Sequence, residues 1–148
     1  MIFVFDTNIL VHYIRQSDVS QQIQTRFSPF APDNQPVISV VTLGEIRSFA
    51  GQNDWGEKRL VKLEALLREF YVVDVLPGEI IDRYVEIDLF SQAKHPLQIA
   101  NFTARNMGKN DLWIAATASV LGAKLLTTDA DFEHLAGVFL DLQRLNTA

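Results

Sequence analysis

Ile2-Phe3-Val4-Phe5-Asp6-Thr7-Asn8 decides the reading of this chain: a short β-branched and aromatic run stops at an acid, and a helical pattern starts directly behind it. A run that is apolar on both faces suits a strand buried between helical layers, as in parallel sheets. Comparable runs fall at residues 37–41, 71–75, 124–127 and 138–142. Helical patterns occupy residues 7–15, 19–27, 43–50, 57–70, 79–94 and 112–121, with a short turn at 131–135. This alternation predicts a layered α/β domain. Within 57–70, Leu60, Leu63, Leu66, Leu67 and Phe70 share helical spacing and predict an amphipathic helix. Pro29, Pro32 and Pro36 mark the loop before the second strand, and His95-Pro96 the end of the long helix.

The acids give this pattern chemical meaning. Asp6 and Asp129 close the first and fourth strand-like runs, Glu45 follows the second, and Asp111 opens a helix-like run behind Asn110. Each has a local explanation. Asp6 would cap the helix from Thr7, and Thr42-Leu43-Gly44-Glu45 fits a capping box. Asp111 in a first turn suits the helix dipole, and Asp129 and Asp131 precede a short helical turn. Taken together they point elsewhere. In open α/β sheets ligands collect beyond the carboxyl ends of the strands, so acids far apart in sequence converge there. Uncompensated, they would repel and raise one another's pKa values; a bound divalent cation reverses that balance. Such a cation activates a water for in-line attack on a phosphodiester and stabilises the leaving oxygen.

Composition narrows the choices. At 148 residues, with 48% hydrophobic and 21% charged, the chain is globular and a single domain over 1–148 is expected. The absence of cysteine excludes disulfides, iron–sulfur clusters and thiolate zinc sites. His12, His95 and His134 lack ligand spacing, so any metal should be oxygen-bound. The apolar stretch 112–123 is too short to span a bilayer, and the strand-like run at Ile2 leaves no room for a signal segment. A cytoplasmic protein without membrane contact is the expectation. A net charge of −5 argues against a nucleic-acid binder, an objection weakened where bound cations offset clustered acids. The loop 95–109 holds Asn101, Thr103, Arg105, Asn106 and Lys109, which would contact substrate or merely solvate a connection.

Asp6-Thr7-Asn8, Glu45, Gly108-Lys109-Asn110-Asp111-Leu112-Trp113-Ile114-Ala115-Ala116 and Leu126-Thr127-Thr128-Asp129-Ala130-Asp131-Phe132 resemble, in that order, a PIN domain of the VapC-type toxin ribonucleases. The likeness spans nearly the whole chain. It implies a three-layer α/β/α sandwich around a mainly parallel five-stranded sheet, with the second and third strands on one side of the first and the fourth and fifth on the other. It also implies an Mg²⁺- or Mn²⁺-dependent endoribonuclease, the toxin of a type II toxin–antitoxin pair. At matching positions, Asp6, Glu45, Asp111 and Asp129 are the catalytic, metal-binding acids, and Asp131 is an additional metal-binding acid. Thr7, Asn8, Asn110 and Thr127 are supporting polar neighbours. Arg47, Arg105 and Lys109 are candidates for RNA phosphate contacts, or else solvated surface.

The implied partners are the RNA substrate, a small antitoxin that obstructs the site, and a second copy in a homodimer. The helical stretches 11–27 and 57–70, where apolar and basic side chains interleave, are surfaces for such partners or ordinary core packing. Two other readings compete. A catalytically silent PIN-like RNA- or protein-binding module would be expected to lack a central acid. A haloacid-dehalogenase-like or response-regulator-like phosphoryl-transfer domain also ends its first strand in Asp. The former expects a second Asp where this chain has Asn8, and neither explains Asp111.

Overall fold

In the computed structural model, which describes residues 1–147, β1 (Ile2–Phe5) forms the centre of a five-stranded sheet. β2 (Gln35–Ser39) and then β3 (Tyr71–Val73) extend it on one side, β4 (Lys124–Thr127) and then β5 (Asp141–Arg144) on the other. All four neighbouring pairs are parallel. Helices α1 (Thr7–Arg15), α2 (Asp18–Arg26), α3 (Val40–Gln52), α4 (Glu57–Leu67), α5 (Gly78–Ser91) and α6 (Lys109–Leu121) fill the connections. A 3₁₀ turn at Ala130–Leu135 joins β4 to β5.

Alternate residues of the central strands serve opposite layers, as the pleat requires. Phe3, Phe5, Ile38 and Leu126 pack into one core with α1, α2, α3 and α4; Val4, Val37 and Leu125 pack into a second with α5, α6 and the 3₁₀ turn. The sheet is therefore covered on both faces, giving the expected three-layer α/β/α sandwich. Phe5 anchors the first core, with its ring centroid 4.8 Å from Phe70, 5.6 Å from Phe30 and 5.7 Å from Tyr13. α4 divides its apolar side chains: Leu63 and Leu67 are buried, whereas Leu60 and Val61 are 41% and 61% exposed.

Several boundaries differ from the sequence expectation: β3 ends at Val73 instead of residue 75, α4 at Leu67 instead of residue 70, and α5 at Ser91 instead of residue 94. The second strand stops at Ser39 because its Oγ accepts the Val41 N–H at 3.1 Å and starts α3, overriding the strand preference of Val40 and Val41. Glu45 therefore lies inside α3, past its first turn, and the expected capping box at Thr42 does not form. α6 begins behind Gly108 instead of Asn110, which places Asp111 within its first turn. The last strand starts at Asp141 instead of residue 138, because Gly137 at φ 76° turns the chain and donates its N–H to Leu140 at 2.9 Å.

Candidate metal centre

The order of strands reverses at β1, since the chain runs outward through β2 and β3 and re-enters at β4 on the opposite side. The carboxyl ends of β1 and β4 thus flank a topological switch point, where the sheet leaves a crevice. Register does the rest. Phe5 pairs with Leu126, and the Asp6 N–H donates to the Leu126 carbonyl at 3.0 Å, setting Asp6 beside Thr127. The Thr127 hydroxyl donates to Asp6 Oδ2 at 2.7 Å and accepts the Asp129 N–H at 3.0 Å. Asn8 Nδ2 donates to the same Asp6 oxygen at 3.1 Å, while Asn8 Oδ1 accepts the Thr128 N–H at 3.4 Å.

Asp6 also caps α1, its Oδ1 accepting the Thr7 N–H at 2.7 Å. The Thr7 hydroxyl donates to Glu45 Oε1 at 2.7 Å, tying the start of α1 to α3. Thr127 is the buried link in this wiring. Thr127→Val, a near-isostere, would leave the Asp129 N–H and Asp6 Oδ2 short of a partner and is expected to cost about 1–3 kcal/mol. A denaturant titration reading no loss of stability would show that this hydroxyl does not hold the strand ends together.

Asp6, Glu45, Asp111 and Asp129 line one cleft of about 380 Å³. Asp131 is exposed, and with Asp111 and Asp129 it offers carboxylate oxygens that all lie within 4.8 Å of one another. Asp6 and Glu45 stand on the β1 and α3 sides of the cleft, their carboxylates held by the hydrogen bonds above. The cost of this crowding appears in the acids' titration. Burial raises Asp6 to about 6, against the lowering effect of its bonds from Thr127 and Thr7 and with help from the charges of Glu45 and Asp129. Burial raises Asp111 to about 7, and the charges of Asp6, Asp129, Glu45 and Asp131 all push the same way.

Both folded values lie above the ordinary aspartate value of 3.8, so the neutral acids are favoured in the fold. The resulting destabilisation sets in as pH rises above about 4 and is complete only above about 7, with Asp6 contributing about 3 kcal/mol. A divalent cation should cancel it. The rise in melting temperature on adding saturating Mg²⁺ is therefore expected to grow between about pH 5 and pH 7.5, as measured by thermal unfolding against chelator controls. An increment independent of pH would contradict the assignment.

The donor set itself fits such an ion. The cleft acids supply only oxygen, the choice of hard divalent cations. Among the described residues no Lys, Arg or His nitrogen lies within 4.0 Å of any of the five carboxylates. The Asp111 carboxylate accepts no hydrogen bond among the described residues. Coordination would meet both needs.

The other sequence candidates separate. Lys109 and Asn110 border an adjoining cavity of about 450 Å³ together with Glu45 and Asp111. Arg47 instead pairs with Glu64 at 3.3 Å on the exposed side of α3, and Arg105 lies 5.9 Å over the Phe102 ring; neither lines the acid cleft. The sequence reading missed the wall made by Val11, His12 and Arg15 of α1 and Phe49 of α3. Its signal was present: Thr7, Val11 and Arg15 recur every four residues, as do Asn8 and His12, so they continue the face that carries the two recognised neighbours. His12 Nδ1 is 2.8 Å from Ser17 Oγ, and burial together with the Arg15 charge lowers its pKa.

Comparison with known proteins agrees with this fold. No curated protein sequence matches the chain. A chain of VapBC2 from Rickettsia felis, bound to a DNA fragment from their promoter, is similar at 23% identity and TM-score 0.75, covering 99% of this chain and 100% of that one. VapBC-1 from nontypeable Haemophilus influenzae is similar at 24% identity and TM-score 0.71, covering 97% and 98%. VapC20 from Mycobacterium tuberculosis, described as a Sarcin-Ricin loop cleaving toxin, is similar at 16% identity and TM-score 0.58, covering 95% and 98%. At these identities the likeness is one of fold. The PIN domain family model matches residues 3–138, nearly the whole sandwich with all five acids inside it, and the chain therefore belongs to the PIN domain family.

Proposed function

We propose that this protein is a divalent-cation-dependent endoribonuclease and the toxin of a type II toxin–antitoxin pair. The observation that carries the reading is the convergence of Asp6, Glu45, Asp111 and Asp129 on one cleft at the switch point, with Asp131 beside Asp111 and Asp129 and, among the described residues, no basic group pairing with any of them. Asp6, Glu45, Asp111 and Asp129, with Asp131, would hold Mg²⁺ or Mn²⁺. When bound, such a cation supplies the positive charge that activates water and stabilises the departing oxygen of a phosphodiester.

The chain's own residues do the positioning. Thr127 and Asn8 fix the Asp6 carboxylate, and Thr7 fixes that of Glu45, so these acids need little reorganisation when the ion arrives. Arg15, at the α1 wall, opposes the charge of an incoming phosphate, and Lys109 does so from the start of α6. The fold likeness to VapBC complexes supports a small antitoxin as partner. The exposed Leu60 and Val61 of α4 are a surface for that antitoxin or for the second copy of a homodimer. RNA as the substrate class is supported by the likeness to VapC20, a Sarcin-Ricin loop cleaving toxin. Among the described residues no helix is long and apolar enough to cross a membrane, and the cytoplasm is the compartment this activity implies.

The competing reading, a silent binding module, is disfavoured because no central acid is missing. Antitoxin-free protein incubated with total cellular RNA, in Mg²⁺, Mn²⁺ or chelator, decides between them. Discrete new ends that need the cation are expected. Intact RNA beside folded, cation-loaded protein would overturn the nuclease assignment.

A further inference from the structure

Arg15 also borders a second cavity, of about 430 Å³, lined by Arg15, Lys58, Arg59, Lys62 and Gly56 with Ile14 and Asp54. Arg15 lines this cavity and the acid cleft alike, so the two are neighbours across one side chain. Acids outnumber bases 18 to 13 in the chain, yet four of its 13 cations gather here. Among the described residues none of the four has a carboxylate within 4.0 Å, whereas Arg47, Arg83, Lys124 and Arg144 all do. Lys58 and Lys62 stand one helical turn apart on α4, an arrangement that costs free energy unless an anion offsets it. The Arg59 guanidinium is held 5.3 Å over the Trp55 ring, which is itself buried.

Gly56 adds an independent observation. It is the N-cap of α4, with φ −72° and ψ 169°, a conformation open to any residue, and a Cβ there would meet nothing within 4 Å. Neither backbone nor packing calls for glycine, and Ser or Asp would cap the helix better. The effect of glycine is that no side chain accepts from the first-turn amides, which are donors suited to an anion.

We infer that this cavity binds a backbone phosphate of the RNA strand beside the acid cleft, with Arg15 spanning the two sites. The inference rests on the nuclease reading for its ligand class, and binding tests it separately from cleavage. At the acid cleft a strand meets like charge; a neighbouring cationic cavity supplies the attraction that a chain of net charge −5 otherwise lacks.

The test is fluorescence anisotropy with a labelled single-stranded oligouridylate in Mg²⁺ over a series of KCl concentrations. It compares the intact chain with Lys58→Gln/Lys62→Gln and with Gly56→Asp. For single strands each phosphate contact contributes about 0.7 to the salt slope, or about fivefold in affinity at about 0.1 M salt. Lys58 and Lys62 face the same phosphate, so the double variant should bind about fivefold more weakly with a slope reduced by about 0.7. Gly56→Asp should weaken binding about fivefold while its melting temperature holds or rises, which separates lost binding from lost folding. Unchanged affinity and slope in both variants would overturn the inference even if RNA is cleaved. So would weakened binding of polyglutamate with oligouridylate binding intact, since that assigns the cavity to an acidic polypeptide. Weakened oligouridylate binding by the variants in a protein that cuts no RNA would sustain the cavity and sink the nuclease reading alone.

Discussion

Asp111→Asn is expected to lower RNA cleavage about a thousandfold or more and, at the same time, to raise the melting temperature of the metal-free protein. The two effects have one cause. Asp111 is held in the first turn of α6 with no hydrogen bond on its carboxylate among the described residues, facing the charges of Asp6, Asp129, Glu45 and Asp131. Replacing the carboxylate by an amide of the same shape removes repulsion and breaks no bond. Because the group is partly open to solvent, screening reduces the gain to about 1–2 kcal/mol above about pH 7. A carboxylate kept at a position where it destabilises the empty protein is what a cation ligand requires. Loss of activity with loss of stability would mark Asp111 as a structural residue instead.

Phe5→Ala is expected to cost about 3–5 kcal/mol, a large share of the stability of a domain this size. Phe5 is fully buried and its ring meets Tyr13, Phe30 and Phe70, which belong to α1, the loop before β2 and the segment entering β3. The residue also precedes Asp6 directly, so the cavity would loosen the strand end from which the acid projects. Urea unfolding should show a lowered midpoint, and cation affinity measured below that midpoint should fall as well. A loss under about 1 kcal/mol would mean that the aromatic cluster closes over the gap.

The sheet was legible because β1, β2 and β4 are buried on both sides and leave near-continuous apolar runs, which no amphipathic helix shares. The edges were harder. In β5 Leu142 and Gln143 are half-buried while Asp141 and Arg144 are exposed, and apolar Val138 belongs to a turn set by Gly137, so hydrophobicity placed that strand too early. Glu45 illustrates the limit of local patterns: Thr42 and Glu45 have capping-box spacing, but Ser39 caps the helix first and frees the Glu45 carboxylate to meet Thr7. Strand ends revealed Asp6 and Asp129, whereas the direction in which Arg47 and Arg105 point depends on Glu64 and Phe102, partners that sequence spacing does not reveal. The basic cavity was hidden for a related reason. Arg15 and Lys58 meet only because the turn before α4 returns the chain to the end of α1.

The central claim is that carboxylates from β1, α3, α6 and the end of β4 form one cation site. Calorimetric titration of the metal-free protein with Mn²⁺ at about pH 6.5, in two buffers of different ionisation enthalpy, tests it most directly. Because Asp6 and Asp111 titrate at about 6 and about 7, cation binding should release about one proton, seen as a buffer-dependent heat, and Asp111→Asn should abolish most of both binding and release. Absence of Mn²⁺ binding by the folded protein, or undiminished binding and release in Asp111→Asn, would contradict the shared site.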